Sequence, residues 1–148
     1  MGAAPPGVEP LENGVTVAKI LIVDDEEGDR LIAEAILMRA GHECFFAHDG
    51  EEALREFALK GIDLVLTDLQ MPEVHGFELI SVLRDFDTPP ALVAVSGTGQ
   101  FQLSMAEALG ALYTLTKPLD PALLIDAVGR ALADRDAMLA ERGDAGAE

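Results

Sequence analysis

Three carboxylates, one hydroxyl and one amine stand at equivalent places in this 148-residue chain, each just after a short aliphatic run. Asp24 and Asp25 follow KILIV, Asp68 follows DLVLT, Ser96 follows ALVAV, and Lys117-Pro118 follows ALYTLT. Crowded carboxylates repel one another unless protons or a cation relieve them. Hard oxygen donors suit Mg²⁺, or the comparable Mn²⁺, which binds readily together with phosphate oxygens. A carboxylate is also a competent nucleophile toward phosphorus and gives an aspartyl phosphate. A lysine can balance phosphate charge and a serine hydroxyl can hydrogen-bond it. A cation in the same place would neutralise charge on the transferring phosphoryl oxygens. The set therefore offers a nucleophile, a metal cradle and two phosphate ligands.

For these residues to meet, the aliphatic runs must be strands of one sheet. Residues 19–23, 42–47, 63–67, 91–95 and 111–116 are strand candidates. Between and after them lie helix-period segments at 29–40, after Asp49, at 73–85, at 99–109 and after Asp120. In the first helix, Ile32, Ala35, Ile36 and Arg39 fall on one face. Asp49 caps the second helix, with Glu51 and Glu52 in its first turn. Asp120 caps the fifth, with Pro121 at its first position. The alternation predicts an α/β fold with a five-stranded parallel sheet, and the continuous apolar strands predict helices on both faces. Such sheets bind ligands beyond the carboxyl ends of the strands, where strand order reverses. That is where the five reactive groups stand.

Taken singly, each group has a plainer reading. Asp24 or Asp25 could cap a helix, Asp68 could open a turn before Met71-Pro72, Ser96 could be loop chemistry and Lys117 a surface lysine. Their joint placement at strand ends favours the chemical reading. His42, His48 and His75 share no metal-ligand spacing and read as structural or solvated. Cys44 reads as a buried small residue beside Phe45 and Phe46. Gly76 reads as a point of close approach.

Ten basic and twenty-seven acidic residues leave a formal charge of −17, which repels nucleic-acid phosphates and anionic membranes. No apolar run approaches the roughly 20 residues of a membrane span, and the N-terminus lacks a signal-peptide pattern. A lone cysteine fits a reducing cytoplasm. Residues 1–17, rich in Ala, Pro and Gly, read as a flexible leader. Residues 18–133 read as the domain. Residues 134–148 read as a helix extension of a turn or two followed by a disordered tail.

The segments VDDEE at 23–27, DLQMPEVHG at 68–76, SG at 96–97 and KPLD at 117–120 together resemble the response-regulator receiver family. The resemblance spans about residues 18–133 and implies a flavodoxin-like receiver fold of the stand-alone type. It implies that Asp68 is the phosphoacceptor, that Asp24 and Asp25 help hold Mg²⁺, and that the backbone carbonyl of Gln70 is a further metal ligand. It implies that Ser96 and Lys117 contact the phosphoryl group and that the Lys117–Pro118 peptide is cis. A sensor histidine kinase or histidine phosphotransfer protein would be the donor, and a downstream protein the target. One position departs from the family. Receivers usually carry Tyr or Phe three residues before the lysine, as a switch partner of the Ser96 position. Here that residue is Thr114, and its neighbour Tyr113 points to the opposite face.

The expected protein is thus a cytoplasmic, phosphorylation-activated switch and not an enzyme, with no appended DNA-binding or enzymatic domain. A haloacid-dehalogenase-type phosphatase would want an Asp-x-Asp pair on the first strand, whereas Asp24 and Asp25 are adjacent. A phosphorylation-independent adaptor that kept the fold would also fit these residues, as would a receiver cut from a longer protein.

Overall fold

Strand residues alternate between the two faces of a sheet, so an unbroken aliphatic run demands a cover on each side. A computed structural model of the protein describes residues 9–10, 16–70, 76–97 and 100–146. In chain order its elements are β1 (Glu9–Pro10), β2 (Thr16–Val17), β3 (Lys19–Val23), α1 (Glu27–Arg39), β4 (Glu43–Ala47) and α2 (Gly50–Lys60). Then follow β5 (Leu64–Asp68), α3 (Gly76–Arg84), β6 (Ala91–Ser96), α4 (Gln100–Leu109), β7 (Tyr113–Thr116) and α5 (Pro121–Gly146). The main sheet has the order β4-β3-β5-β6-β7, and every neighbouring pair in it is parallel. The chain leaves β3 toward β4, returns, and continues from β5 in the other direction. The reversal puts a crevice beyond the carboxyl ends of β3 and β5.

Two cores clothe the sheet. Leu21, Val23, Val65, Leu92 and Ala94 pack with Ala53 of α2, Leu79, Ile80 and Leu83 of α3, and Leu103 and Ala106 of α4. The alternate residues Ile20, Ile22, Leu64, Leu66, Val93 and Val95 pack with Ala33 and Leu37 of α1 and Leu124, Val128, Ala131 and Leu132 of α5. Caps fix where helices begin. The Asp49 carboxylate accepts from the Glu52 N–H at 2.8 Å, and Asp120 accepts from Ala122 and Leu123 at 2.9 and 3.2 Å. Gly61, left-handed at φ 66°, ends α2.

The fold class agrees with the sequence expectation, but several details differ. Helix α1 starts at Glu27 rather than at residue 29, and it buries Ala33 and Leu37. Of the residues noted on one face of this helix, Ile36 is half-buried, while Ile32, Ala35 and Arg39 are exposed. Nearly every residue from Leu31 to Met38 is apolar, so periodicity could not select the inward side. The expected start of α3 at residue 73 lies outside the described residues. Strand β7 begins at Tyr113, although the Leu112 N–H already donates to the Leu92 carbonyl at 2.7 Å.

Described residues near both ends take part in regular elements. Within the segment expected to be a flexible leader, β1 and β2 pair antiparallel, with Glu9 opposite Val17 and Pro10 opposite Thr16. Helix α5 does not stop a turn or two past residue 133 but runs unbroken to Gly146. Its extension is tied down. Arg135 is buried, with Nε donating to the Pro89 carbonyl at 2.9 Å and a terminal guanidinium nitrogen 3.3 Å from Asp63. The other Asp63 oxygen accepts from the Lys19 N–H at 2.9 Å. Farther along, Arg142 donates to the Asp87 carbonyl at 3.3 Å. Among the described residues no helix is long and apolar enough to cross a membrane.

Candidate functional site

At the carboxyl edge of the sheet, β3 hands over directly to Asp24, whose N–H donates to the Ala47 carbonyl at 3.1 Å. This bond extends the β3–β4 pairing by one residue and turns the Asp24 side chain into the crevice. One carboxylate oxygen accepts from the Glu26 N–H at 3.0 Å, and the Asp24 carbonyl accepts from Arg30 at 2.7 Å. Asp68 is the last residue of β5 and lies opposite Val95 of β6. Asp24 and Asp68 are buried and Asp25 is exposed, yet a carboxylate oxygen from each lies within 4.8 Å of the others. Among the described residues, this is the grouping of acids, histidines and cysteines able to hold a metal. Convergent hard oxygens, one of them open to water, suit Mg²⁺ or Mn²⁺.

Lys117 enters from the end of β7 through a cis peptide to Pro118. Its ammonium lies 2.7 Å from Asp29, 2.9 Å from Asp24 and 3.5 Å from Asp68. Burial, the largest influence, opposes its charge, but the hydrogen bonds it donates to Asp29 and Asp24 outweigh this and hold its pKa above the ordinary lysine value. For Asp68 the balance is reversed. Burial pushes its carboxyl above the usual carboxylate range, helped by the Asp24 charge and opposed by the Gln70 N–H and Lys117. The Gln70 N–H donates to the first carboxylate oxygen at 3.2 Å, and Lys117 faces the second. The cavity here, about 190 Å³, has Asp24, Asp29, Asp68 and Lys117 at its polar end and Ile32, Leu66 and Val95 on its walls.

Ser96 ends β6, wholly buried, and its hydroxyl donates to the Gln102 side-chain oxygen in α4 at 2.9 Å. The Lys117 N–H donates to the Ser96 carbonyl at 3.0 Å, which joins the two strand ends. Gly76 brings α3 against this edge. A Cβ there would collide with the Asp68 carbonyl oxygen and lie 2.9 Å from Leu69 Cα.

The structure thus brings together Asp24, Asp25, Asp68 and Lys117 and sets Ser96 at the adjoining strand end. Gln70 stands two residues past Asp68 with its N–H already engaged there. Thr114 lies elsewhere, half-buried on β7 opposite Ala94, beside a cavity of about 250 Å³ lined by Leu103, Pro118 and Leu123. Tyr113 packs on the other core, and its hydroxyl donates to Asp134 at 2.7 Å. The two described histidines stay outside the site. His42 is buried and its Nδ1 accepts from the Ala18 N–H at 3.1 Å. His48 pairs with Asp49 and Glu52, and His75 lies outside the described residues. Cys44 is half-buried, and burial, with Glu34 and Glu43, pushes its thiol up to about 11.

Sequence reasoning missed Asp29 and Gln102. Neither follows a strand. The one available signal for Asp29 was its place in the first turn of the helix after Asp24 and Asp25. Nothing in the order of residues paired Gln102 with Ser96.

A sequence model of the response regulator receiver domain matches residues 20–129. Sporulation initiation phosphotransferase F of Bacillus subtilis is 31% identical over 115 residues, which make up 77% of this chain and 93% of that protein. The CAI-1 autoinducer sensor kinase/phosphatase CqsS of Vibrio cholerae is 30% identical over 125 residues, 82% of this chain but 18% of the relative. The alkaline phosphatase synthesis transcriptional regulatory protein PhoP of B. subtilis is 35% identical over 104 residues, covering 70% of this chain and 43% of that one. The chain therefore spans less than half the length of the last two. Among solved structures, the chemotaxis response regulator CheY4 of V. cholerae superposes with a TM-score of 0.71 at 29% identity, covering 78% of this chain and 98% of that one. NtrX of Brucella abortus gives a TM-score of 0.79 at 28% identity, covering 85% of this chain and 29% of NtrX.

Proposed function

This chain belongs to the response regulator receiver family, and on that premise we propose that it is a phosphorylation-activated switch whose phosphoacceptor is Asp68. A sensor histidine kinase or histidine phosphotransfer protein would supply the phosphoryl group, and a downstream protein would read the result in the cytoplasm. One observation carries the proposal. The buried Asp68 carboxylate ends its strand with the carboxylates of Asp24 and Asp25 within 4.8 Å and the Lys117 ammonium at 3.5 Å.

Asp24, Asp25 and Asp68, with the Gln70 carbonyl, would hold Mg²⁺ or Mn²⁺. Such a cation, when bound, neutralises charge on the transferring phosphoryl oxygens. The protein's own groups do the rest. Asp68 attacks phosphorus as the carboxylate, forming the new O–P bond as the donor departs with the electrons of its old bond to phosphorus. The Gln70 N–H fixes one Asp68 oxygen and leaves the other toward Lys117. The Lys117 ammonium and the Ser96 hydroxyl would then take phosphoryl oxygens.

Ser96 cannot do this while its hydroxyl donates to Gln102, so occupancy of Asp68 draws on a contact that belongs to α4. That link supports protein binding as the output, with residues 96–109 as the responsive segment. A second reading, an adaptor that keeps the fold without the switch, is favoured by one observation. Thr114 replaces the usual aromatic with a short, stiff β-branched side chain.

Intact-mass measurement after treatment with acetyl phosphate and Mg²⁺ tests the proposal. One added phosphoryl group is expected on the wild type and none on Asp68→Asn. An equal yield in that variant would remove Asp68 from the role, and no modification of the wild type would favour the adaptor.

A further inference from the structure

The acid nearest to Lys117 is neither Asp24 nor Asp68. Asp29, in the first turn of α1, holds the ammonium at 2.7 Å, against 2.9 Å for Asp24 and 3.5 Å for Asp68. The first two distances are those of charge-assisted hydrogen bonds, and the third is too long for a good one. Asp29 lies outside the carboxylate group able to hold a cation. It has no part in the chemistry described above, yet it is the tightest partner of the lysine that this chemistry uses.

The helix explains why it can be so. α1 starts at Glu27, so its first turn stands directly over Asp24 and Asp25, and Asp29 reaches across the mouth of the cavity that also contains Asp68 and Lys117. An ammonium has three N–H donors, and two are already directed to carboxylates on the β3–α1 side. A phosphoryl group on Asp68 adds charge of about −2 and new acceptors on the other side. The third donor faces Asp68 from 3.5 Å, so closing on a phosphoryl oxygen there draws the ammonium away from Asp29.

We infer that Asp29 is a positioning residue that acts through Lys117, drawing the ammonium toward α1 and competing for it with phosphoryl oxygens on Asp68. The inference rests on the phosphoacceptor reading. The competition is limited, because the Asp29 side chain is 35% exposed and the Lys117 side chain 23%. Water screens such a pair, so its removal should change binding of a phosphoryl mimic by about threefold to fivefold, the scale of a partly exposed ion pair. Asp29 thereby sets how firmly a phosphoryl group is held without touching it.

The test titrates wild type, Asp29→Asn and Asp29→Glu with beryllofluoride at saturating Mg²⁺, following amide shifts and the Lys117 Nζ resonance by NMR. Asp29→Asn should bind the mimic about threefold to fivefold more tightly. Its Lys117 Nζ signal should already be displaced in the free protein. Asp29→Glu, which restores the charge, should stay close to wild type in both measurements. Unchanged affinity in Asp29→Asn overturns the inference, as does tighter binding with the Lys117 Nζ signal unmoved, since that would be a general effect of lost charge. A wild type that takes neither beryllofluoride nor phosphoryl overturns the phosphoacceptor reading itself, and the inference with it.

Discussion

Gly76 touches Asp68 main chain to main chain. A Cβ built on Gly76 would strike the Asp68 carbonyl oxygen and lie 2.9 Å from Leu69 Cα. Neither neighbour is a side chain that could swing aside, so an added methyl must push α3 and the end of β5 apart. Gly76→Ala should therefore cost about 1–3 kcal/mol of stability, the scale of overpacking. It should also slow phosphoryl uptake by disturbing the Gln70 N–H bond to Asp68. Urea unfolding and uptake from acetyl phosphate check this, and wild-type values in both would refute it.

Replacing Asp24 and Asp25 together by Asn should weaken Mg²⁺ binding severely, because two of three converging carboxylates are removed. The metal-free protein should lose little stability or gain some, since mutual repulsion falls. Calorimetric titration and thermal unfolding in a chelator are the measurements. Full Mg²⁺ affinity in the double variant would exclude this site.

The Arg135–Asp63 pair is buried at the other end of the sheet, with side-chain exposures of 9% and 4%. Arg135→Met leaves a buried carboxylate with the Lys19 N–H as its remaining described hydrogen-bond partner, and should cost about 3–5 kcal/mol. Adding Asp63→Asn removes the stranded charge but keeps an acceptor for Lys19, and should restore part of the loss. Denaturant unfolding of the three proteins tests it. Equal stability of Arg135→Met and wild type would mean that the buried Arg135–Asp63 pair contributes nothing to the domain.

His42 gives a pH dependence of definite sign. Burial lowers its pKa below 6.5, and its Nδ1 must stay unprotonated to accept from the Ala18 N–H. The unfolded chain therefore takes up a proton before the folded one does. Stability from this group is complete above about pH 6.5 and is lost as pH falls below it, levelling off beneath the folded pKa. Thermal unfolding between pH 7.5 and pH 5 (roughly one unit or more either side of the ordinary histidine pKa) should show the decline. His42→Asn should flatten it, and an identical slope in that variant would assign the effect elsewhere.

If Ser96 turns toward a phosphoryl group it must leave Gln102. Beryllofluoride should then shift the amides around Gln102 and speed hydrogen exchange in α4, and Ser96→Ala should suppress both changes. Tyr113 should stay where it is, held by Asp134 and the α1–α5 core. A silent α4 accompanied by reorientation of Tyr113 would reverse this assignment.

The sheet and its polar edge could be read from sequence because four of its five strands are apolar runs that lead into a polar residue of the candidate site. Asp24, Asp68, Ser96 and Lys117 all obey that rule. The rest depends on contacts between distant elements, which local pattern does not encode. Asp29 and Arg135 look like ordinary helix charges until α1 is placed over the crevice and α5 beneath the loop at Pro89. The buried face of α1 is not selected by pattern because α1 is apolar on several sides. The Pro-containing leader has no period from which the short β1–β2 pairing could be inferred.

The continuity of α5 has a further consequence for protein engineering. At about 1.5 Å per residue, this 26-residue helix is roughly 39 Å long. Arg135 and Arg142 clasp it to the body, fixing its azimuth as well as its direction. A module grafted in helical frame beyond Arg142 would inherit that azimuth, and each inserted residue would rotate it by about 100°. A graft at residue 133 would lose both clasps and keep only the packing of Leu124, Val128, Ala131 and Leu132 to hold the helix.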